Sequence, residues 1–174
     1  MTPCTLRLRL EPIEPWHANV LFDGLRDELL YEFIDDEPPE SLDALRLRYE
    51  KLFTRKSPDG LELWLNWAVW TFGARRYVGY VQATVGLERL ADIAYLIFRD
   101  AWGNGYGREA VTAMIKHLVD EHGITTFRAC VDTRNYRSIR LLRALSFQHA
   151  KSRVGTAQIR GLLADEPEYV LAIM

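Results

Sequence analysis

Residues 91–110 read Ala-Asp-Ile-Ala-Tyr-Leu-Ile-Phe-Arg-Asp-Ala-Trp-Gly-Asn-Gly-Tyr-Gly-Arg-Glu-Ala, and the rest of the chain is arranged around this segment. The run from Ile93 to Phe98 is apolar and of strand length. A glycine-dense turn follows it. Beyond the turn, Ala110, Val111, Met114, Ile115, Leu118 and Val119 recur at helical spacing, and Gly123 is placed to close that helix as a C-cap. Gly103, Gly105 and Gly107 permit positive φ and a close approach to the backbone. The helix behind them leaves its first amide N–H groups unpaired, with the positive end of its dipole alongside. Strand, glycine turn and helix start therefore predict an anion cradle, of the kind most often used for phosphate.

Upstream, Leu6, Leu8 and Leu10 alternate with Arg7 and Arg9, a strand with one wet face, before Pro12 and Pro15 interrupt it. A helix is expected over about 16–27, then a short apolar piece at 31–34 and an acidic loop at 35–40. Ser41 is the expected N-cap of a second helix carrying Leu42, Leu45, Tyr49, Leu52 and Phe53. Three strands in a row are expected at 63–72, 77–85 and 91–98, the first two joined by a hairpin. Downstream the style changes to helix, strand at 127–132 and helix at 135–144, with closing strands at 147–154 and 168–173 around a loop. The order is that of an α+β fold with one embedded parallel β-α-β unit.

A chain of 174 residues suits a single domain over 1–174 and can bury a proper core. A formal net charge of −2 gives no bulk basicity for nucleic acid. Cys4 and Cys130 lack metal or redox spacing, and the four histidines are scattered, so no metal is expected and a reducing, cytoplasmic setting is the default. No signal-peptide pattern and no apolar run near the roughly 20 residues of a membrane span are seen.

Gly105-x-Gly107-x-x-Ala110 fits a dinucleotide-binding pattern, with Asp132 at a strand end downstream. That fold needs alternating strands and helices from the start, and only one β-α-β unit is present here. The chain instead resembles the GNAT N-acetyltransferases, in particular the branch of the ribosomal-protein N-terminal acetyltransferases. Trp102-Gly103-Asn104-Gly105-Tyr106-Gly107 is similar to the family's Arg/Gln-x-x-Gly-x-Gly/Ala loop, with tryptophan in the leading place. Asn135-x-x-Ser138, Leu141-Leu142 and Leu145-Ser146-Phe147 are similar to its Asn-x-x-Ser…Leu-Gly-Phe helix and turn, with Ser146 replacing glycine.

The resemblance implies a mixed, mostly antiparallel central sheet with helices on both faces. It implies acetyl-CoA as co-substrate and direct acetyl transfer to a primary amine, either a protein N-terminus or a small molecule, in a monomer or homodimer. Backbone N–H groups of Gly103, Asn104, Gly105, Tyr106, Gly107 and Arg108 would cradle the pyrophosphate, and the strand end Tyr95, Leu96 and Ile97 would pair with the pantetheine arm. Asn135 is expected at that arm or as its helix's cap.

Many family members place a tyrosine seven residues after the asparagine, where this chain has Leu142. Ser138 is the candidate hydrogen-bond donor to the leaving sulfur. Asp92 is the one acid on the strand and the candidate base, although alternation points it away from Ala91 and Ile93, the positions expected to face the acceptor. A bulge would re-aim it, and a water relay to a more distant acid is the other route. Without such a base, a non-catalytic acyl-CoA-binding or regulatory domain is the alternative. Arg134, Arg137, Arg140 and Arg143 form either a solvated face or a contact to the coenzyme's ribose phosphate. Asp35, Asp36, Glu37 and Glu40 border the expected acceptor site, and one or two of Trp64, Trp67, Trp70, Tyr31 and Phe33 are expected to face it.

Overall fold

The computed structural model describes residues 2–86, 88–151, 157–159, 162–165 and 167–173. In chain order the elements are β1 (Leu8–Pro12), α1 (His17–Leu25), a 3-10 turn (Glu28–Tyr31), α2 (Leu42–Phe53), β2 (Leu63–Thr71), β3 (Arg76–Val85) and β4 (Leu90–Ile97). After a second 3-10 turn (Arg99–Ala101) come α3 (Tyr106–His122), β5 (Thr126–Cys130), α4 (Tyr136–Ala144), β6 (Gln148–Lys151), β7 (Ala157–Ile159), β8 (Leu162–Ala164) and β9 (Glu168–Ala172). Among the described residues, seven strands form one sheet in the order β1-β2-β3-β4-β5-β9-β6, while β7 and β8 pair with each other. Within the sheet, β4 and β5 are parallel and the other described pairings are antiparallel. This is the mixed, mostly antiparallel sheet expected, and it excludes the doubly wound dinucleotide fold.

Strand alternation sorts the apolar side chains onto two faces. On one, Val81, Ala83, Ala91, Ile93 and Phe127 meet Ala110, Val111, Met114 and Leu118 of α3 and Ile139 and Leu142 of α4. On the other, Ala68, Leu96 and Phe98 meet Leu21 and Leu25 of α1 and Leu45 and Tyr49 of α2. Leu118 is fully buried, and truncating such a leucine to alanine costs about 2–5 kcal/mol. Among the described residues, no helix is long and apolar enough to cross a membrane.

Several local expectations are met by their physical causes. The Ser41 hydroxyl accepts from the Ala44 amide and caps α2, and Gly123 closes α3 in the left-handed region at φ +63°. Ser146 adopts φ +66°, the conformation a glycine takes at a helix end. Around it the Phe147 amide donates back to the Leu142 carbonyl (3.0 Å).

Other expectations are corrected. β1 begins at Leu8 rather than Leu6, whose side chain is 94% exposed, and it runs through Pro12, which an edge strand tolerates. The apolar piece at 31–34 begins on a 3-10 turn that Tyr31 closes, its hydroxyl donating to the Leu25 carbonyl (2.9 Å). The last loop contains the β7–β8 hairpin. The expected continuation of the strand at 147–154 past Lys151 lies outside the described residues.

Candidate functional site

The parallel ladder between β4 and β5 is short. It pairs Leu90 with Thr126, Ala91 with Phe127 and Asp92 with Arg128, and there it stops. β4 nevertheless continues to Ile97, held on its other side by β3 in an unbroken register from Val85–Ala91 to Gly79–Ile97. The two parallel strands therefore part like a V, leaving one edge of β4 open from Ile93 onward. The Phe98 amide donates to the Val78 carbonyl (2.8 Å), which fixes the phase of alternation. Even-numbered residues of β4 turn their N–H and C=O toward β3, and Ile93, Tyr95 and Ile97 turn theirs into the V. Leu96, expected beside them, thus offers its backbone to Tyr80 of β3 instead.

At the end of this edge the glycine turn begins. The Trp102 indole N–H donates to the Ile97 carbonyl (2.7 Å), and the Asn104 side-chain amide donates to the Ala101 and Trp102 carbonyls (3.1 and 3.2 Å). These bonds hold an exposed turn in which Gly103 and Gly105 sit at φ +78° and +76°, a conformation that costs an L side chain about 1–2 kcal/mol. Gly105 is the N-cap of α3 and supplies no side-chain cap, so the first amides of α3 stay available to an anion. Gly107 departs from expectation. It lies in the first turn of α3, and its reason for being glycine is close approach: a Cβ there would stand 2.9 Å from Leu141 Cδ1. Glu109, also in that turn, is engaged by the Arg7 guanidinium and the Thr5 hydroxyl, which tie the N-terminal segment to α3.

α4 supplies the facing wall. Asp132 is buried, accepts from the Arg134 amide (2.7 Å) and is gripped by the Arg134 guanidinium, which holds its carboxyl below the usual carboxylate range despite burial. The turn so made delivers Asn135, whose Oδ1 accepts from the Ser138 amide (3.1 Å) as the N-cap of α4. Ser138 Oγ lies 2.6 Å from the Tyr95 hydroxyl, which reaches it from β4. Arg137 stacks on the Trp102 indole, 3.9 Å from guanidinium carbon to ring centre. A cation from α4 thus stands over the residue that occupies the leading place of the loop. Both contacts join residues far apart in the chain, Tyr95 and Ser138 being 43 positions apart.

Asp92 sits where β4 and β5 part. Both of its carboxylate oxygens are taken by Arg128, with Oδ2 2.6 Å from Nη2. The β3–β4 register shows no bulge that would re-aim it. Ala91 and Ile93, expected toward an acceptor, are buried under α3, while Asp92 and the exposed Ala94 share the α1–α2 face of the sheet. On that face Tyr31, Asp36, Arg48, Tyr49, Asn66, Tyr80 and Gln82 surround a cavity of about 20 Å³, room for about one water. Within it the Tyr49 hydroxyl has no protein partner among the described residues, and burial pushes the Tyr80 phenol up to about 12. Asp36 is paired with Arg48 (3.0 Å), whereas Asp35, Glu37 and Glu40 line the surface of the loop. Of the five aromatics, Tyr31 lines this cavity and Phe33 lies under the Arg134 guanidinium (5.9 Å). Trp67 is core, Trp70 packs on Tyr77 and Trp64 bonds to Glu62.

A strand edge left open, running into an uncapped helix start through two left-handed glycines, is the arrangement on which comparison with known proteins bears. The sequence profile described as Acetyltransferase (GNAT) domain matches residues 7–148. The chain belongs to the GNAT acetyltransferase family. Among curated relatives, the uncharacterized protein YkkB of Bacillus subtilis (strain 168) is 27% identical over 93 residues, 53% of this chain and 54% of that one. The alignment thus spans about half the length of that relative. Among solved structures, RimL, a ribosomal alpha-N-protein acetyltransferase in complex with coenzyme A, matches with a TM-score of 0.86 at 17% identity, covering 99% of this chain and 97% of the other. A spermidine N-acetyltransferase from Vibrio cholerae in complex with CoA and spermine matches at 0.81 and 18%, covering 97% and 96%. At these identities the likeness is one of fold, and it is the GNAT fold end to end.

Proposed function

We propose that the protein is an acetyl-CoA-dependent N-acetyltransferase acting on a primary amine. The observation that carries this reading is the open β4 edge leading into the uncapped glycine turn. One extended ligand with amides at one end and phosphates at the other matches both parts at once. The amide and carbonyl of Tyr95 and the amide of Ile97 would pair with the pantetheine arm. The amides from Gly103 to Arg108 would hold the pyrophosphate, with Arg137 as a neighbouring cation. Asn135 spends Oδ1 on its helix and keeps its Nδ2 donors for the arm.

Bound acetyl-CoA supplies an acyl carbon already activated as a thioester. In the overall exchange a nitrogen–carbon bond forms, the carbon–sulfur bond breaks, the amine loses a proton and the sulfur departs as thiolate. An inward amide of β4 is suited to the oxygen that gains charge, and Ser138 is the donor for the sulfur. A thiol resembling cysteine, with pKa about 8.5, leaves without a strong acid.

For Asp92 we propose a part in holding the point where the strands part, because both of its carboxylate oxygens are taken by Arg128 and neither is aimed at an amine. The amine's proton then goes to water. An α-amine of pKa about 8 is neutral to roughly a tenth at pH 7, whereas an alkylamine of about 10.4 is neutral to only about one part in 2,500. A site without a well-aimed carboxylate is therefore better matched to an α-amine, such as a protein N-terminus.

A second reading, a non-catalytic acyl-CoA-binding domain, is favoured by Leu142, which is fully buried and puts no hydroxyl where many relatives carry tyrosine. Free thiol release from acetyl-CoA, followed over N-terminal peptides, aminoglycosides and polyamines, decides between them. Turnover with at least one amine, N-terminal peptides foremost, is expected. Acetyl-CoA binding without turnover on any amine would favour the second reading.

A further inference from the structure

Tyr95 stands on β4 beyond the point where that strand leaves β5, and Ser138 stands in the first turn of α4. Their hydroxyl oxygens are 2.6 Å apart, and Tyr95 Oη is 3.3 Å from the Ser138 carbonyl oxygen. Each hydroxyl has one proton to give. The phenol is the more acidic of the two, so it is the better donor, and the separation falls within the ordinary O–H···O range. With Tyr95 donating, Ser138 accepts on Oγ and its own proton is left for another partner.

We infer that Tyr95 is a positioning residue, whose hydroxyl holds Ser138 with the serine proton free to meet the departing sulfur. This rests on the reading above, in which Ser138 is the donor to that sulfur. It also answers the departure at position 142. Where the buried Leu142 offers no hydroxyl to the sulfur, Ser138, held by the Tyr95 hydroxyl, presents its own.

Magnitudes decide what kind of help this is. Burial pushes the Tyr95 phenol up to about 12, the bond to Ser138 pulling the other way. A thiol like that of cysteine sits at about 8.5, so moving a proton from phenol to thiolate runs uphill by more than about three units. Tyr95 therefore keeps its proton. Its effect is orientation: Ser138 donates a hydrogen bond to the thiolate, and the proton the amine loses goes to water.

The test uses the full chain and coenzyme A. The pKa of the bound thiol is read from thiolate absorbance during a pH titration, with the dissociation constant measured in parallel by calorimetry. In the wild type the bound thiol is expected about one unit below its free value. Tyr95→Phe and Ser138→Ala should each return it to within about 0.3 units of that value, and the double variant should add nothing further. The dissociation constant at a pH where the thiol is protonated should change less than about threefold, while kcat falls about tenfold in Tyr95→Phe. If Tyr95→Phe binds coenzyme A with an unchanged thiol pKa, the inference is overturned and the reading of the site stands. The inference is equally overturned if Ser138→Ala leaves the thiol pKa unchanged, or if the wild-type bound thiol is no more acidic than free coenzyme. A wild-type chain that binds no coenzyme A overturns both.

Discussion

Asp92→Asn separates two roles for the strand carboxylate. Asp92 and Arg128 form the last rung before β4 and β5 part. Their side chains are 46% and 32% exposed, so water screens the pair. Exposed ion pairs contribute about 0.2–1 kcal/mol, and two-point engagement by a guanidinium places this one at the top of that range, about 1 kcal/mol. Arg128 keeps access to water when its partner is lost, so no large penalty for a stranded charge is added. In a chain of this length, 1 kcal/mol corresponds to about 2–4 °C in Tm. If Asp92 holds the strands, the variant melts lower by that amount, loses less than about tenfold in kcat and keeps the shape of its pH–rate profile. If Asp92 were the base, kcat would fall by about 10²–10⁴ and the acidic limb of the profile would vanish. The assays are a thermal melt and acetyl transfer across pH with the best amine. A loss above about 100-fold in kcat with an unchanged Tm would refute the positioning role.

Three further outcomes are expected. Ser146→Gly relieves a left-handed serine, a strain of about 1–2 kcal/mol, and returns about 0.5–1 kcal/mol in chain entropy, so urea unfolding should show a net gain of about 0.5–1 kcal/mol. Arg137→Ala removes the cation over Trp102 and should weaken acetyl-CoA binding about tenfold by calorimetry, with a shallower salt dependence. Asp132 has its carboxyl lowered by Arg134. Its contribution is present above the unfolded value of about 3.9 and lost as pH falls through the lower folded value. Acid unfolding of Asp132→Asn should therefore be less steep, its stability meeting that of the wild type at low pH.

The parts of the site made of backbone were legible in the sequence because glycines mark them. Gly103 and Gly105 announce their left-handed turn, and the apolar repeat behind them announces the helix whose amides they expose. The strand order was legible because alternation and turn residues are local signals. The pairings that give side chains their roles are not local. Asp92 meets Arg128 through the parallel register, Tyr95 meets Ser138 across the V, and Arg137 reaches Trp102 from another helix. One signal bore on them: Leu142, where many members of the resembled family carry tyrosine, turned attention to Ser138 as the donor to the sulfur. Which backbone groups of β4 face the V required the phase of the β3–β4 ladder, which the bond from the Phe98 amide to the Val78 carbonyl now fixes. Alternation overstates the start of β1, because it continues into Leu6, where the chain has already left the sheet.

That the open β4 edge and the glycine turn hold one acyl coenzyme is tested most directly by thermal unfolding with acetyl-CoA, beside a short acetyl thioester that lacks the phosphates. At 100 times the dissociation constant, acetyl-CoA should stabilise the chain by about 2.7 kcal/mol, roughly 5–11 °C in Tm. The short thioester at the same concentration should produce no comparable shift. An equal shift from both would remove the phosphate cradle, and no shift from acetyl-CoA at high excess would contradict the assignment of the site.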